Sequence, residues 1–234
     1  MKELSHNDIS AGIPENAVLI IGAGHFGSRA ARLLNEESNA PIFVVDVDKN
    51  SLSKLQGLPV KRIAYDGILF LVRNYHLIHL SNTIVPAVPV HLAYQWLKGH
   101  LDGRFKIKKM VVPEEIKPLL PFVWPGSEGS LLVSYADFDC PDDCPEPEYC
   151  TVTGERRDKP LHALLGRIKV TDFRVHIIRS RQLAPGLGGY AVAELEKAAE
   201  RLGSDEKGKW LLGTSCRCHG ILTALEITRT TEVA

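Results

Sequence analysis

At 234 residues the chain is long enough to bury a sizeable core, and its 44% hydrophobic and 24% charged content excludes a disordered or fibrous class. Lys plus Arg and Asp plus Glu number 28 each, so a net charge of zero gives no field to draw in DNA, RNA or an anionic membrane surface, and nucleic acid is not an expected partner. No apolar run approaches the ~18 residues of a membrane span, and the opening MKELSHNDISAG lacks an apolar signal core, which predicts a cytoplasmic protein with reduced thiols.

Residues 1–14 are polar, contain Gly12 and Pro14, and predict a loose lead-in. Residues 17–21, AVLII, form a short β-branched run that predicts a strand buried on both faces. Gly22, Gly24 and Gly27 follow in G-x-G-x-x-G spacing. The first glycine permits the tight turn, the second lets a pyrophosphate approach the backbone, and the third lets helix pack on strand. Phe26, Ala30, Leu33 and Leu34 then lie at helical spacing, so the helix points its N-terminus, with unpaired N–H groups and the positive end of its dipole, at the glycines. His25 and Phe26 sit in the first turn of that helix and are counted with the cofactor-binding residues; the His25 ring could reach a phosphate. Residues 42–45 predict a second strand ending at Asp46, about 20 residues beyond the glycines, where an acid accepts both adenosine ribose hydroxyls and repels a 2′-phosphate. NAD is therefore expected over NADP.

This stretch resembles the NAD-binding domain of Trk-type potassium-uptake regulators, the RCK N-terminal kind, over about the first 70 residues. It is similar, more distantly, to the start of saccharopine-dehydrogenase-like oxidoreductases. The resemblance implies a Rossmann-like parallel sheet and an NAD-sensing role. Those regulators carry a Gly-Asp-Ala type segment near the adenine after the third strand. Here Ala64-Tyr65-Asp66-Gly67 keeps the acid, which makes Asp66 a cofactor contact by resemblance.

Further along, Asn50 or Ser51 is expected to cap a short helix, residues 60–64 to form a third strand and residues 67–75 a helix. Residues 83–90, TIVPAVPV, are β-branched, but two prolines shorten any strand and predict a loop at the carboxyl edge of the sheet. Ligands of open α/β sheets bind at that edge, so Asn82 and His91 are expected near the nicotinamide, with His91 opening a helix over 91–101 and available as the catalytic acid or base. Residues 106–112 predict one more strand. Pro113, Pro118, Pro121 and Pro125 then mark a domain boundary near residue 125, which gives an NAD-binding domain over 1–125 and a second domain over 126–234.

The five cysteines fall in two clusters: Cys140, Cys144 and Cys150 in CPDDCPEPEYC, and Cys216 and Cys218 in CRCH, which adds His219. Six acids stand between Asp137 and Glu148, and bunched thiolates repel them and each other, so a cation would relieve a real electrostatic cost. A metal site is predicted, an iron–sulfur cluster ahead of zinc, although the spacing matches neither the usual ferredoxin nor the zinc-finger pattern. Residues 130–138, 173–178, 210–212 and 221–227 predict strands and 190–202 a helix, and the glycines at 186–189 before that helix suggest a second anion site near Arg179 and Arg181. The whole reads as α/β: a Rossmann-like parallel sheet and a smaller α+β, cysteine-containing second domain.

Three functions fit these residues. One is an NAD-dependent oxidoreductase acting on an unidentified small molecule beside a metal. The second is an NAD-sensing module that pairs with a partner protein or forms a homodimer. The third is a nucleotide-binding protein with a structural zinc site.

Overall fold

The structure is a computed structural model that describes residues 12–230. The expected polar lead-in lies outside the described residues as far as residue 11. The chain then runs through β1 (Val18–Ile21), α1 (His25–Glu37), β2 (Ile42–Asp46), α2 (Lys49–Ser53), β3 (Lys61–Ala64), α3 (Gly67–Arg73), β4 (Thr83–Pro86) and α4 (Leu92–His100). These four strands are parallel and lie in the order β3-β2-β1-β4, the arrangement right-handed crossovers produce in a Rossmann-like half. Residues of β1 are buried on both faces because helices cover both. Helix α1 packs through Gly27, Ala30 and Ala31, small residues that let it approach closely, and through Leu34. Asp48, not the expected Asn50 or Ser51, caps α2: its carboxylate accepts from both of their amides and from the Ser51 hydroxyl, and an ionised acceptor outcompetes an amide or hydroxyl.

The remaining elements are β5 (Phe105–Met110), β6 (Phe122–Pro125), β7 (Leu131–Ser134), α5 (Leu161–Leu165), β8 (Phe173–Arg179), β9 (Arg181–Ala184), β10 (Leu187–Ala191), α6 (Val192–Leu202), β11 (Lys207–Ser215) and β12 (His219–Arg229). A second sheet has the order β6-β7-β12-β11-β8, with β5 beside the later half of β12. Strands β8 and β11 are parallel, joined by a crossover that contains α6.

The chain does not divide at residue 125. Strands β5 and β6 precede that point yet belong to the second sheet, and β9 and β10 return to extend the first sheet through an antiparallel pairing of β10 with β4. Proline misled the reading. Pro118 sits in a 3-10 turn and Pro125 ends β6, an edge strand where a missing N–H is tolerated. The glycines at 186–189 likewise form no anion-binding turn before a helix. Gly186 turns the β9–β10 hairpin, Gly188 and Gly189 lie within β10, and the helix begins only at Val192.

Alternation along the strands sorts the core into layers. Leu19, Ile21, Phe43 and Ile84 face α3, α4 and α6, and the same apolar cluster continues into Trp210, Leu212, Leu225 and Ile227 of the second sheet. Ile20, Val44 and Val85 face α1 and α2 on the far side of the first sheet. Leu211, Leu222 and Ala224 face α5 beyond the second. The two sheets therefore share one central core, with a helical layer between them.

Candidate functional site

The loop after β4, residues 87–91, leaves the first sheet at its carboxyl edge, anchored by the Ala87 amide donating to the Ile21 carbonyl at 2.8 Å. It walls a cavity of about 670 Å³ whose near side carries Phe26, Val88 and Tyr190 and whose far side carries Cys140, Glu146, Cys216 and His219. Phe26, in the first turn of α1, and members of both cysteine clusters thus line the same space, whereas Gly22, Gly24 and Gly27 stand outside its lining. Phe26 was expected on the buried stripe of α1 but is 58% exposed, because the first turn of the helix projects past the sheet into the cavity mouth.

The glycine turn is built tightly. Gly22 has φ of +104°, and a Cβ there would lie 2.3 Å from the Ala87 carbonyl oxygen; one on Gly27 would lie 1.9 Å from the Gly22 oxygen. Only glycine fits either position. Gly24 is different, with nothing within 4 Å of its Cβ direction, so its backbone faces open space. Helix α1 begins there with no side-chain cap and no acid in its first turn. Asp46 binds across this turn: one carboxylate oxygen accepts from the Ala23 amide at 2.5 Å and the other from the Asp48 amide at 2.8 Å. Each oxygen retains a second lone pair, so the residues could hold a phosphate at the helix end and a ribose at the acid. Asp66 caps α3, its Oδ1 accepting from the Leu69 amide at 2.8 Å.

The two cysteine segments meet. Strands β11 and β12 form a hairpin whose turn carries Cys216, Arg217 and Cys218, and the acidic loop from Cys140 to Cys150 folds over it. The Cys140 sulfur lies 3.5 Å from His219 Nε2. Burial and the neighbouring thiols of Cys144 and Cys150 raise the Cys140 pKa, and burial with Glu146 pushes Cys218 up to about 11. The half-buried Cys150 thiol is lowered to about 7, chiefly by the Thr153 amide. Among the described residues, the donor atoms that could hold a metal and lie within 4.8 Å of one another belong to Glu146, Cys216 and His219. Nothing in the sequence singles out Glu146, which stands there as one of six acids. Its backbone φ of +50° is a conformation that costs a non-glycine residue about 1 kcal/mol or more. The donor set of one cysteine sulfur, one imidazole and one carboxylate suits zinc or iron.

His91 lines the same cavity, as a residue expected near the nicotinamide would, but little of it is reachable and its nitrogens are already engaged. It is 3% exposed, with Nδ1 2.8 Å from the Thr223 hydroxyl and Nε2 3.0 Å from that of Thr214, so both nitrogens are engaged across the two sheets. Burial, aided by Lys109, depresses its pKa to about 3, which keeps it neutral. Asn82 lies at the opposite edge from the expected one, before β4, where its amide donates to the Pro14 carbonyl at 2.7 Å and its oxygen accepts from the His79 amide.

A family model described as "Uncharacterized protein, C-terminal domain" (AF_1314_C) matches residues 93–228, more than half of the chain. The chain belongs to that family. The AF_1314_C match opens within α4, takes in both cysteine segments and includes the β9–β10 hairpin. A protein of Archaeoglobus fulgidus, itself described as "Uncharacterized protein", is 30% identical over 222 residues, covering 89% of this chain and 98% of the relative. No solved structure matches. Among the described residues no helix is long and apolar enough to cross a membrane.

Proposed function

We propose that the chain is an NAD(H)-dependent oxidoreductase that holds a metal in its cysteine clusters and turns over a small molecule between the two. The observation that carries this reading is the shared cavity: Phe26 and Val88, beside the glycine turn, and Cys140, Cys216 and His219, from the metal-ligating segments, line one volume of about 670 Å³. Ligand sites favour such junctions at the carboxyl edge of an α/β sheet. On this reading the pyrophosphate lies at the uncapped start of α1, Asp46 takes the adenosine ribose, and the nicotinamide points past Val88 into the cavity. Tyr190 lines the same cavity and has a buried hydroxyl without a protein partner among the described residues, a group that a bound molecule would satisfy.

An NAD sensor needs no space at the nicotinamide, whereas an enzyme needs room for a second reactant there. The cavity is large enough for both a nicotinamide ring and a small substrate. The test is to reduce the purified protein with NADH under argon, with and without artificial electron acceptors, and follow nicotinamide absorbance. Oxidation of NADH that depends on both an acceptor and bound metal is the expected result. NADH binding without any turnover under all these conditions moves the assignment to the regulatory role.

A further inference from the structure

We propose that Glu146, Cys216 and His219 bind a single divalent cation and leave one coordination position open to the cavity, where it takes a carbonyl or hydroxyl oxygen of the substrate. This rests on the oxidoreductase reading for the substrate alone; the cation site stands on its own geometry. It differs from a closed site of four cysteines and from an iron–sulfur cluster.

The donor atoms of these three residues lie within 4.8 Å of one another, with Cys216 Sγ 4.0 Å from His219 Nδ1. A tetrahedral zinc with ordinary Zn–S and Zn–N bonds separates sulfur and nitrogen by about 3.6 Å, so a closure of a few tenths of an ångström completes the site. The ligands are already oriented. The amides of Cys218 and His219 both donate to Cys216 Sγ, at 3.4 and 3.3 Å, which fixes where the sulfur points. The Arg217 amide donates to Glu146 Oε2 at 3.3 Å and steadies the carboxylate. With Nδ1 on the cation, His219 Nε2 carries the proton and points it at Cys140 Sγ, 3.5 Å away. That is the outer partner a metal-bound histidine needs to fix its tautomer.

The open position follows from where these residues stand. All three line the cavity of about 670 Å³, and His219 and Cys140 also line a second cavity of about 740 Å³ that runs beside Trp124 and Phe138. A structural site is enclosed by its ligands; this one forms part of a cavity wall. Three protein ligands with an open fourth position is the arrangement of catalytic zinc. A cation held there by Glu146, Cys216 and His219 would supply a Lewis acid for a substrate oxygen, and a bound nicotinamide would exchange a hydride with the adjacent carbon. In the oxidising direction the alcohol gives its proton to solvent and its carbon-bound hydride, with both electrons, to the oxidised nicotinamide, and a C=O bond forms.

Cobalt substitution reads both features. The full chain is stripped with a chelator and titrated with Co²⁺, monitored by ligand-field and thiolate-to-cobalt absorption, and then exposed to acetohydroxamate, which needs a vacant position. Saturation at one Co²⁺ per chain, with a spectrum that acetohydroxamate shifts, is the expected result. Glu146→Gln and Cys216→Ser each weaken Co²⁺ binding at least tenfold, Cys140→Ala weakens it about tenfold through His219, and Cys150→Ser leaves it unchanged. Circular dichroism confirms that each variant folds. Loss of Co²⁺ binding in Cys150→Ser with none in Glu146→Gln overturns the assignment, as does a spectrum indifferent to acetohydroxamate or a native protein with several irons and sulfide. NAD titrated in parallel separates the two readings: nucleotide binding without a cation sinks this inference alone, and cation binding without nucleotide sinks only the dinucleotide reading.

Discussion

His25 Nε2 lies 2.8 Å from Asp142 Oδ2, a contact across 117 residues that joins the first turn of α1 to the cysteine loop. Both side chains are half or more exposed, so the pair itself contributes under about 1 kcal/mol. The loop is held more firmly from below, where the Gly186 amide and the Gln182 side chain both donate to the Cys144 carbonyl, at 2.8 and 2.9 Å. Gly186 has φ of +70°, and a Cβ there would lie 1.6 Å from the Asp142 carbonyl oxygen. Asp142→Asn should therefore leave the melting temperature nearly unchanged. Gly186→Ala should cost about 1–3 kcal/mol and lower metal content, because strain and clash together lift the loop. Thermal denaturation with elemental analysis checks both, and a Gly186→Ala protein as stable and as metal-rich as the native one would contradict this account of the docking.

What was legible in the sequence was local. The strand, glycine turn, helix and Asp46 follow from short-range sterics and period, and they stand where expected. Phe26 shows where period stops helping, since a stripe predicts a face but not that the first turn projects into a cavity. Pairings across distant segments were invisible. Nothing near Leu187 announces that β10 will lie against β4, a hundred residues earlier, and on local grounds alone the glycines there suggest an anion-binding turn before a helix. Glu146 became distinguishable from five neighbouring acids only once the hairpin that carries Cys216 was folded against it.

For the dinucleotide, Asp46→Asn is a better probe than alanine, because the side chain keeps its shape and its oxygen can still accept from one of the Ala23 and Asp48 amides, at the cost of turning its NH2 toward the other. NAD affinity should fall by about 1–3 kcal/mol as a charge-assisted hydrogen bond is lost, and the preference over NADP should shrink with the charge that repels a 2′-phosphate. Titration calorimetry of both cofactors measures this. Equal affinity of the native protein for NAD and NADP would remove the assigned role of Asp46.

His91 sets an acid limit on stability. Its folded pKa is about 3, below the ordinary value of 6.5, so between these values the unfolded chain holds a proton that the folded chain does not. Stability is then full above about pH 6.5 and falls as pH drops toward 3; at pH 5 the loss attributable to His91 is about 2 kcal/mol. Lys109 faces the ring from β5 and acts in the same direction. The hydroxyls of Thr214 and Thr223, and of Ser130 behind Thr223 at 2.8 Å, complete the buried network. Other histidines with lowered values add to the acid slope, so the difference between native and His91→Gln protein is the informative quantity. Urea denaturation from pH 7.5 to 5 should show a shallower decline for the variant, with NAD affinity retained. Parallel declines would remove His91 from the acid response.

The shared core makes a prediction about metal removal. Leu19 and Ile84 of the first sheet and Trp210, Leu225 and Ile227 of the second belong to one buried cluster, so neither sheet can lose its packing without exposing the other. A metal that binds only the folded chain at a hundredfold excess over its Kd stabilises by about 2.7 kcal/mol. For a chain of 234 residues that corresponds to roughly 5–10 °C in melting temperature. Chelation should lower a single transition by that amount, seen alike by tryptophan fluorescence, which reports on Trp96 and Trp210 in the central core and on Trp124 beside the second cavity, and by far-ultraviolet circular dichroism. Two separated transitions, with only one sensitive to the chelator, would mean that the sheets unfold independently and that the central layer does not couple them.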